Sequence, residues 1–286
     1  MKPAYLLFIS FLFTASVYGQ YTYVPYSNGV EMPNRRLAAN HISTQSAYTY
    51  RFGNKGIKDS VLLWTKHYKY NELGQLVRME IRESGKKNTY TKYQYNQNNY
   101  LVKQVQVTER SKTKADSVLF DFDYDAFGNQ QFIGRFTKDT SDLQITHQIY
   151  NSKNQLISVL IKVNEADFFT SQNLTYNENG DLSILAYLDA AGNTINEYYF
   201  SYDYPAKKQM VSVIKNNKRK LYQAFTYNIN KDRIRFEEFN YVDYSNIANA
   251  NPNAVTKYYD DKGLLGTEVT YQGGTLINYV KYMYAK

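Results

Sequence analysis

The residues able to do chemistry are few and scattered. The only imidazoles are His41, His67 and His147, far apart and without a second His at metal-ligand spacing. Cysteine is absent, which excludes disulfides, iron–sulfur clusters, Cys-containing zinc sites and a Cys nucleophile. Asp121, Asp123 and Asp125 alternate with Phe122 and Tyr124, a spacing that offers oxygen ligands of the kind calcium takes. The segment lacks the glycine and the distant glutamate of a calcium hand, so a solvated acidic strand face is the plainer reading. The adjacent pairs Glu237-Glu238 and Asp260-Asp261 point to opposite sides of a strand and form no acid–base couple. Ser111-Lys112-Thr113-Lys114 spells Ser-x-x-Lys without the companion motifs that give it meaning. No nucleophile elbow, zinc-protease helix, phosphate loop or dinucleotide fingerprint occurs. The expectation is a protein that is not an enzyme, with no metal and no cofactor.

What the chain has in excess is tyrosine, 31 residues of 286. Tyrosine suits a pleated, half-buried surface better than a helix interior. The tyrosines are ordered. Tyr70, Tyr95, Tyr124, Tyr150, Tyr176, Tyr202, Tyr227 and Tyr259 recur every ~26 residues, with a truncated unit at Tyr284 and a degenerate opening one at Tyr48-Thr49-Tyr50. After each full-length anchor comes Asn or Asp: Asn71, Asn96, Asp125, Asn151, Asn177, Asp203, Asn228 and Asp260. Three residues further on stands Gly or Asn, except at Ala206 and Lys231. Asn or Asp opens a type I turn, and Gly or Asn accepts the left-handed conformation that ends it. Each unit therefore reads as a hairpin turn with a bulge. The turns at Ala206 and Lys231 should differ in shape. Residues around the anchors alternate apolar and polar, as in Val77, Met79 and Ile81 against Arg78, Glu80 and Arg82, the period of a strand with one wet face. No segment shows strong helical periodicity. The fold class is all-β: an antiparallel meander of about 16–20 strands, curled into a barrel, half-barrel or flattened tube, because open twisted sheets rarely exceed about ten strands.

The aromatic-x-Tyr-(Asn/Asp)-x-x-(Gly/Asn)-x-Leu unit resembles the YD repeats, also called RHS repeats. The resemblance runs from about Tyr48 to Lys286, and the Tyr-Asp pair itself stands at Tyr124-Asp125, Tyr202-Asp203 and Tyr259-Asp260. It implies stacked hairpins, and among relatives it is most similar to the small secreted forms of Bacteroidota rather than the long shells that enclose a toxin. The same resemblance implies O-glycosylation of Asp-Ser-aliphatic sites, here at Ser60 and Ser117.

Export is written in the first residues. Lys2 precedes an apolar run from Ala4 to Val17, and Val17 and Gly19 fit a cleavage site before Gln20. The expected organisation is a signal peptide over 1–19, an N-terminal extension over 20–46 and the repeat domain over 47–286. Without cysteine the mature chain is not a lipoprotein, and no further run is long enough for a transmembrane helix. The expected location is secreted, periplasmic or outer-envelope. The formal charge is +8, with basic residues in the predicted turns: Lys86-Lys87, Lys112 and Lys114, Lys207-Lys208, and Lys215 with Lys218-Arg219-Lys220. No nucleic-acid motif accompanies them, and no nucleic-acid partner is expected.

The leading reading is a non-enzymatic β-repeat protein of the bacterial envelope binding a glycan or envelope component. A structural scaffold that docks a protein at a sheet edge is one alternative, and an outer-membrane β-barrel is the other. The candidate binding residues are Tyr68 and Tyr93 beside the anchors, and Asn246, Asn249 and Asn251 in the Asn-rich insertion that lengthens one unit.

Overall fold

A computed structural model describes residues 32–53, 56–83, 88–109, 115–137, 143–228 and 232–286. The signal-peptide region, Lys86-Lys87, Lys112, Lys114 and Lys231 lie outside the described residues. Helix α1 (Met32–Ala39) leads into β1 (Thr44–Gly53), β2 (Gly56–Tyr70), β3 (Leu76–Glu83), β4 (Thr89–Tyr95), β5 (Leu101–Glu109) and β6 (Ala115–Tyr124). Next come β7 (Gln130–Thr137), β8 (Gln144–Tyr150), β9 (Leu156–Val163), β10 (Phe169–Tyr176), β11 (Leu182–Leu188) and β12 (Thr194–Asp203). The last are β13 (Lys208–Lys215), β14 (Lys218–Tyr227), β15 (Arg233–Val242), β16 (Asn253–Tyr259), β17 (Leu265–Gln272) and β18 (Thr275–Ala285).

Each strand pairs antiparallel with its neighbours in sequence, and β1 pairs with both β2 and β18, closing an 18-stranded ring. Closure removes the free sheet edge. A partner docking at such an edge has no place among the described strands. Helix α1 is also a departure from the sequence reading. It is too short to show a period, and its buried residue is Leu37.

The even-to-odd connections are the predicted turns, and they lie at one end of the ring with the start of β1 and the end of β18. At Asn151, for example, the side-chain oxygen accepts from the Lys153 and Gln155 backbone N–H groups at 2.9 and 3.0 Å. Asn154 completes that turn with φ +57°. The turn at Asp203 differs, as its sequence requires. There Lys207, not Ala206, takes the left-handed conformation, at φ +53°.

The anchor tyrosines fasten one unit to the next. A bulge shifts the register at the full-length anchors other than Tyr202, as at Lys69/Tyr70 and Thr175/Tyr176. The next anchor's phenol then donates to the carbonyl of the strand's first residue. Tyr95 bonds the Leu76 carbonyl at 3.0 Å, Tyr124 that of Leu101 at 2.8 Å and Tyr176 that of Leu156 at 2.8 Å. Tyr202 and Tyr284 do the same at Leu182 and Leu265.

A second lateral contact runs along the turns. The residue four after the turn-opening Asn or Asp reaches its neighbour: Gln75 donates to the Asn99 carbonyl, Asn129 to Asn154, and Gln155 to the Gly180 carbonyl. Sequence reading missed this position because its residue type varies while its reach does not.

Between the bulges the faces alternate. One face, carrying the anchors, is buried: Leu156, Val159 and Ile161 on β9 are at most 3% exposed. The other carries Arg78, Glu80 and Arg82 on β3 and Asp121 and Asp123 on β6, and it faces water. Outer Ser212, Leu221, Ala224 and Ala254 are nonetheless buried. Part of that cover is the insertion between β15 and β16, which folds back as a 3-10 turn (Tyr244–Asn249) and packs Ile247 and Ala250 on Leu221, Ala224 and Phe239.

A candidate site in the barrel lumen

The inner wall is not uniform. From β9 to β14 it is a mostly apolar core, with Leu156, Val159, Leu174, Leu182 and Leu185 forming one cluster and Val211, Phe225 and Tyr227 another, and the buried amides of Gln172 and Gln209 among them. From β16 through β18 and β1 to β4 the inward positions carry phenols and charge instead. In register, Lys257 on β16 faces Glu268 on β17, and their charged atoms lie 3.7 Å apart. The two side chains keep 26% and 22% of their surface accessible, so water reaches this arc.

Four tyrosines share the arc. Tyr68 on β2, Tyr259 on β16 and Tyr282 on β18 make no hydrogen bond with any described residue through their phenol groups, while Tyr93 on β4 bonds Thr91. Burial pushes the Tyr68 phenol up to about 12, with Tyr93 and Glu268 adding to the shift. Burial also raises the Tyr282 phenol above its ordinary range, with Glu268 and Tyr68 adding to the shift. These couplings span β17 to β2, three strand spacings or about 14 Å along the wall. Burial lowers the Lys257 amine from its ordinary value, against the opposing pull of Glu268. Between the large rings the wall is lined by small side chains, Ala47, Thr49 and Thr91, at most 5% exposed.

Helix α1 covers the turn end of this arc. The Arg36 guanidinium donates to Asp232 at 2.9 and 3.0 Å and to the Gly263 carbonyl at 3.0 Å. Leu37 and Ile42 pack with Leu264, Tyr70 and Tyr284. Gln45 bridges the last two rings, accepting from Tyr70 at 2.7 Å and donating to Tyr284 at 2.9 Å. The arc is therefore a cup with its floor at the turn end.

Of the residues singled out in the sequence, Tyr68 and Tyr93 point into this cup. Asn246, Asn249 and Asn251 are exposed on the outer insertion, away from it. Ser117 lies on the outer face of β6, and Ser60 lies within 3.4 Å of the Tyr279 hydroxyl. His67 contacts Ser46 at 2.9 Å on the outer face, His147 stacks on Phe132 at 4.3 Å, and His41 is exposed, so the three imidazoles do not meet. Asp121 and Asp123 face outward. The Asp125 carboxylate accepts from Phe127, Asn129 and the Asn129 amide within its turn. Burial works against the charge there, but these bonds outweigh it and hold the carboxyl below its ordinary range. Among the described residues no three His, Asp or Glu side chains gather as metal ligands.

Sequence reading missed Lys257, Glu268 and Tyr282. The signal was a charge at an inward position of the alternation, as in Val255-Thr256-Lys257-Tyr258-Tyr259.

No family model matches the chain, and no curated protein matches it. Among solved structures, the chain is similar to a porin-like protein from Bacteroides uniformis at 10% identity and TM-score 0.44, covering 85% of this chain and 96% of that one. It is also similar to a TcdB2-TccC3 toxin component at 9% identity and TM-score 0.30, and to the Photorhabdus luminescens Tc holotoxin pore at 10% and 0.28. This chain spans 15% of each toxin chain.

Proposed function

We propose that the protein is an exported, non-enzymatic β-barrel of the bacterial envelope that binds a glycan in the wet arc of its lumen. The observation that supports the reading is that the Tyr68, Tyr259 and Tyr282 phenols share one water-accessible arc of the inner wall with the Glu268–Lys257 pair. Sugars present apolar C–H faces for aromatic rings and hydroxyls for a carboxylate. A concave, aromatic-lined site with a few convergent polar groups is built for that combination. The export signal in the sequence supports the location.

A glycan array on the mature chain tests the reading, followed by calorimetry on any hit. Glu268→Gln removes a charged acceptor worth about 1.5–3 kcal/mol per hydrogen bond, so affinity should fall roughly 10–100-fold. An array without hits, or a hit that Glu268→Gln and Tyr282→Phe bind as well as the parent does, overturns it.

The outer-membrane reading has one observation in its favour. The strand number of the closed ring is even. The outer face weighs against it. Arg78, Glu80, Arg82 and Lys92 on β3 and β4, with Arg235 and Glu237 on β15, would sit where lipid requires an apolar band. Each Arg or Lys at a bilayer midplane costs about 2–4 kcal/mol. Extraction of the native protein by alkaline carbonate separates the two, since an integral barrel stays with the membrane.

A further inference from the structure

A second feature of the inner wall lies at the opposite, loop end. There the bulge between β14 and β15 sets Phe239, Asn240 and Tyr241 against the single residue Tyr222. Phe239 turns outward and is buried beneath the 3-10 insertion, whereas Tyr241 stacks on Tyr222 at 5.5 Å and 12°. Tyr222 meets Tyr198 at 5.9 Å, and Tyr198 meets Tyr187 at 5.7 Å. Four rings thus form a continuous ladder from the inner wall to the rim.

Two facts mark this ladder as more than packing. Tyr241 holds φ +52° and remains 38% exposed. A bulky side chain in the left-handed region is strained, and such strain persists where the surroundings enforce it, often at ligand sites. Here the insertion clamps the bulge from outside. Beside the ladder, Lys215 and Lys218 stand directly opposite each other across the β13–β14 tip, both exposed. Facing like charges oppose sheet formation. Lys215 rests its amine 4.7 Å from the centre of the Tyr241 ring. Neither lysine has an ion-pair partner among the described residues, whereas neighbouring Lys220 pairs with Asp243 at 3.7 Å. An anion between Lys215 and Lys218 would relieve their repulsion.

We propose that this rim is a binding subsite for an acidic oligosaccharide, its sugar rings stacked on Tyr241 and Tyr222 and its acid group held by Lys215 and Lys218. The inference rests on the glycan reading above and deepens it by naming the ligand class. Oligogalacturonate, and the same oligomer as its neutral methyl ester, are the probes, measured by calorimetry at low and high salt on the mature chain. The parent protein should bind the acid form about tenfold more tightly than the ester, with that preference lost at high salt. The Lys215→Gln/Lys218→Gln double variant should lose the preference for the acid, and Tyr241→Ala should weaken both forms. Both lysines are exposed at a hairpin tip, so their variant tests the idea even where Tyr241→Ala fails to fold. Equal binding of acid and ester, no binding of the acid form, or an unchanged double variant overturns the proposal. Loss of binding in Glu268→Gln with the rim variants unaffected would leave the luminal reading standing and remove this one. The reverse pattern would keep the rim and remove the lumen.

Discussion

Raising the pH should unfold this barrel in a narrow window, because its buried tyrosines hold their protons. Burial pushes the phenols of Tyr68, Tyr124, Tyr176, Tyr227, Tyr259 and Tyr284 up to about 12, from an ordinary value of 10.0. Below pH 10 the folded and unfolded chains both keep these protons, and stability does not depend on them. Between about 10 and about 12 the unfolded chain releases protons that the folded chain retains, so stability falls as pH rises. At pH 11 each such tyrosine contributes a loss of about 1.4 kcal/mol, or about 8 kcal/mol for the six. Solvent screening at partly exposed rings halves this to about 4 kcal/mol. That is a large share of the roughly 5–15 kcal/mol that holds a domain together. The assay follows tyrosinate absorbance and far-UV circular dichroism together through the alkaline range. The two signals should change together, and more steeply than one proton allows. Replacing Tyr124 and Tyr176 with Phe should make the dependence of stability on pH shallower. A gradual tyrosinate titration centred near 10, with the strand signal intact at 12, would refute the idea that these phenols are shielded inside the wall.

Two further outcomes follow from the same contacts. Tyr176→Phe leaves the Leu156 carbonyl without its donor and should cost about 1–2 kcal/mol, lowering Tm by roughly 2–5 °C in thermal unfolding, whereas Tyr244→Phe, on the exposed insertion, should leave Tm unchanged. Arg36→Ala removes the bonds that tie α1 to Asp232 and Gly263, so amide exchange in residues 32–42 should speed up while exchange in β8 to β12 stays as it was.

The repeat was legible because its turn chemistry is local. Asn151 and Asn154 each do their work within one turn, and nothing distant is needed to predict it. The number of strands follows from counting turns. Closure is different in kind, since it depends on how twist accumulates over many strands and on whether β1 can meet β18. No single residue encodes that. The lateral contacts of Gln75, Asn129 and Gln155 were hidden for a related reason: amides of two lengths perform one job, and the job is visible only when adjacent turns are side by side. Tyr68 and Tyr93 could be named from their places beside the anchors, but Glu268 and Lys257 become a pair only in register. The insertion misled because its asparagines drew attention, while its structural contribution comes from Ile247 and Ala250.

The division of the inner wall follows from how the repeats are held. Each unit is fastened to its neighbours by an anchor phenol and by rim side chains, contacts that depend on adjacent strands and not on what lies across the lumen. A conventional core must fill its interior to be stable. A ring bolted laterally needs dense packing only along part of its wall, here β9 to β14, where Leu156, Val159 and Leu185 exclude water. The remaining arc carries Lys257, Glu268 and phenols that have no hydrogen-bond partner among the described residues. The tyrosines therefore serve two ends by position. The anchors at Tyr95, Tyr124 and Tyr176 are committed to backbone carbonyls and unavailable to a ligand. Tyr68 and Tyr282, one strand period off or on strands without that bond, have no hydrogen-bond partner for their hydroxyls among the described residues.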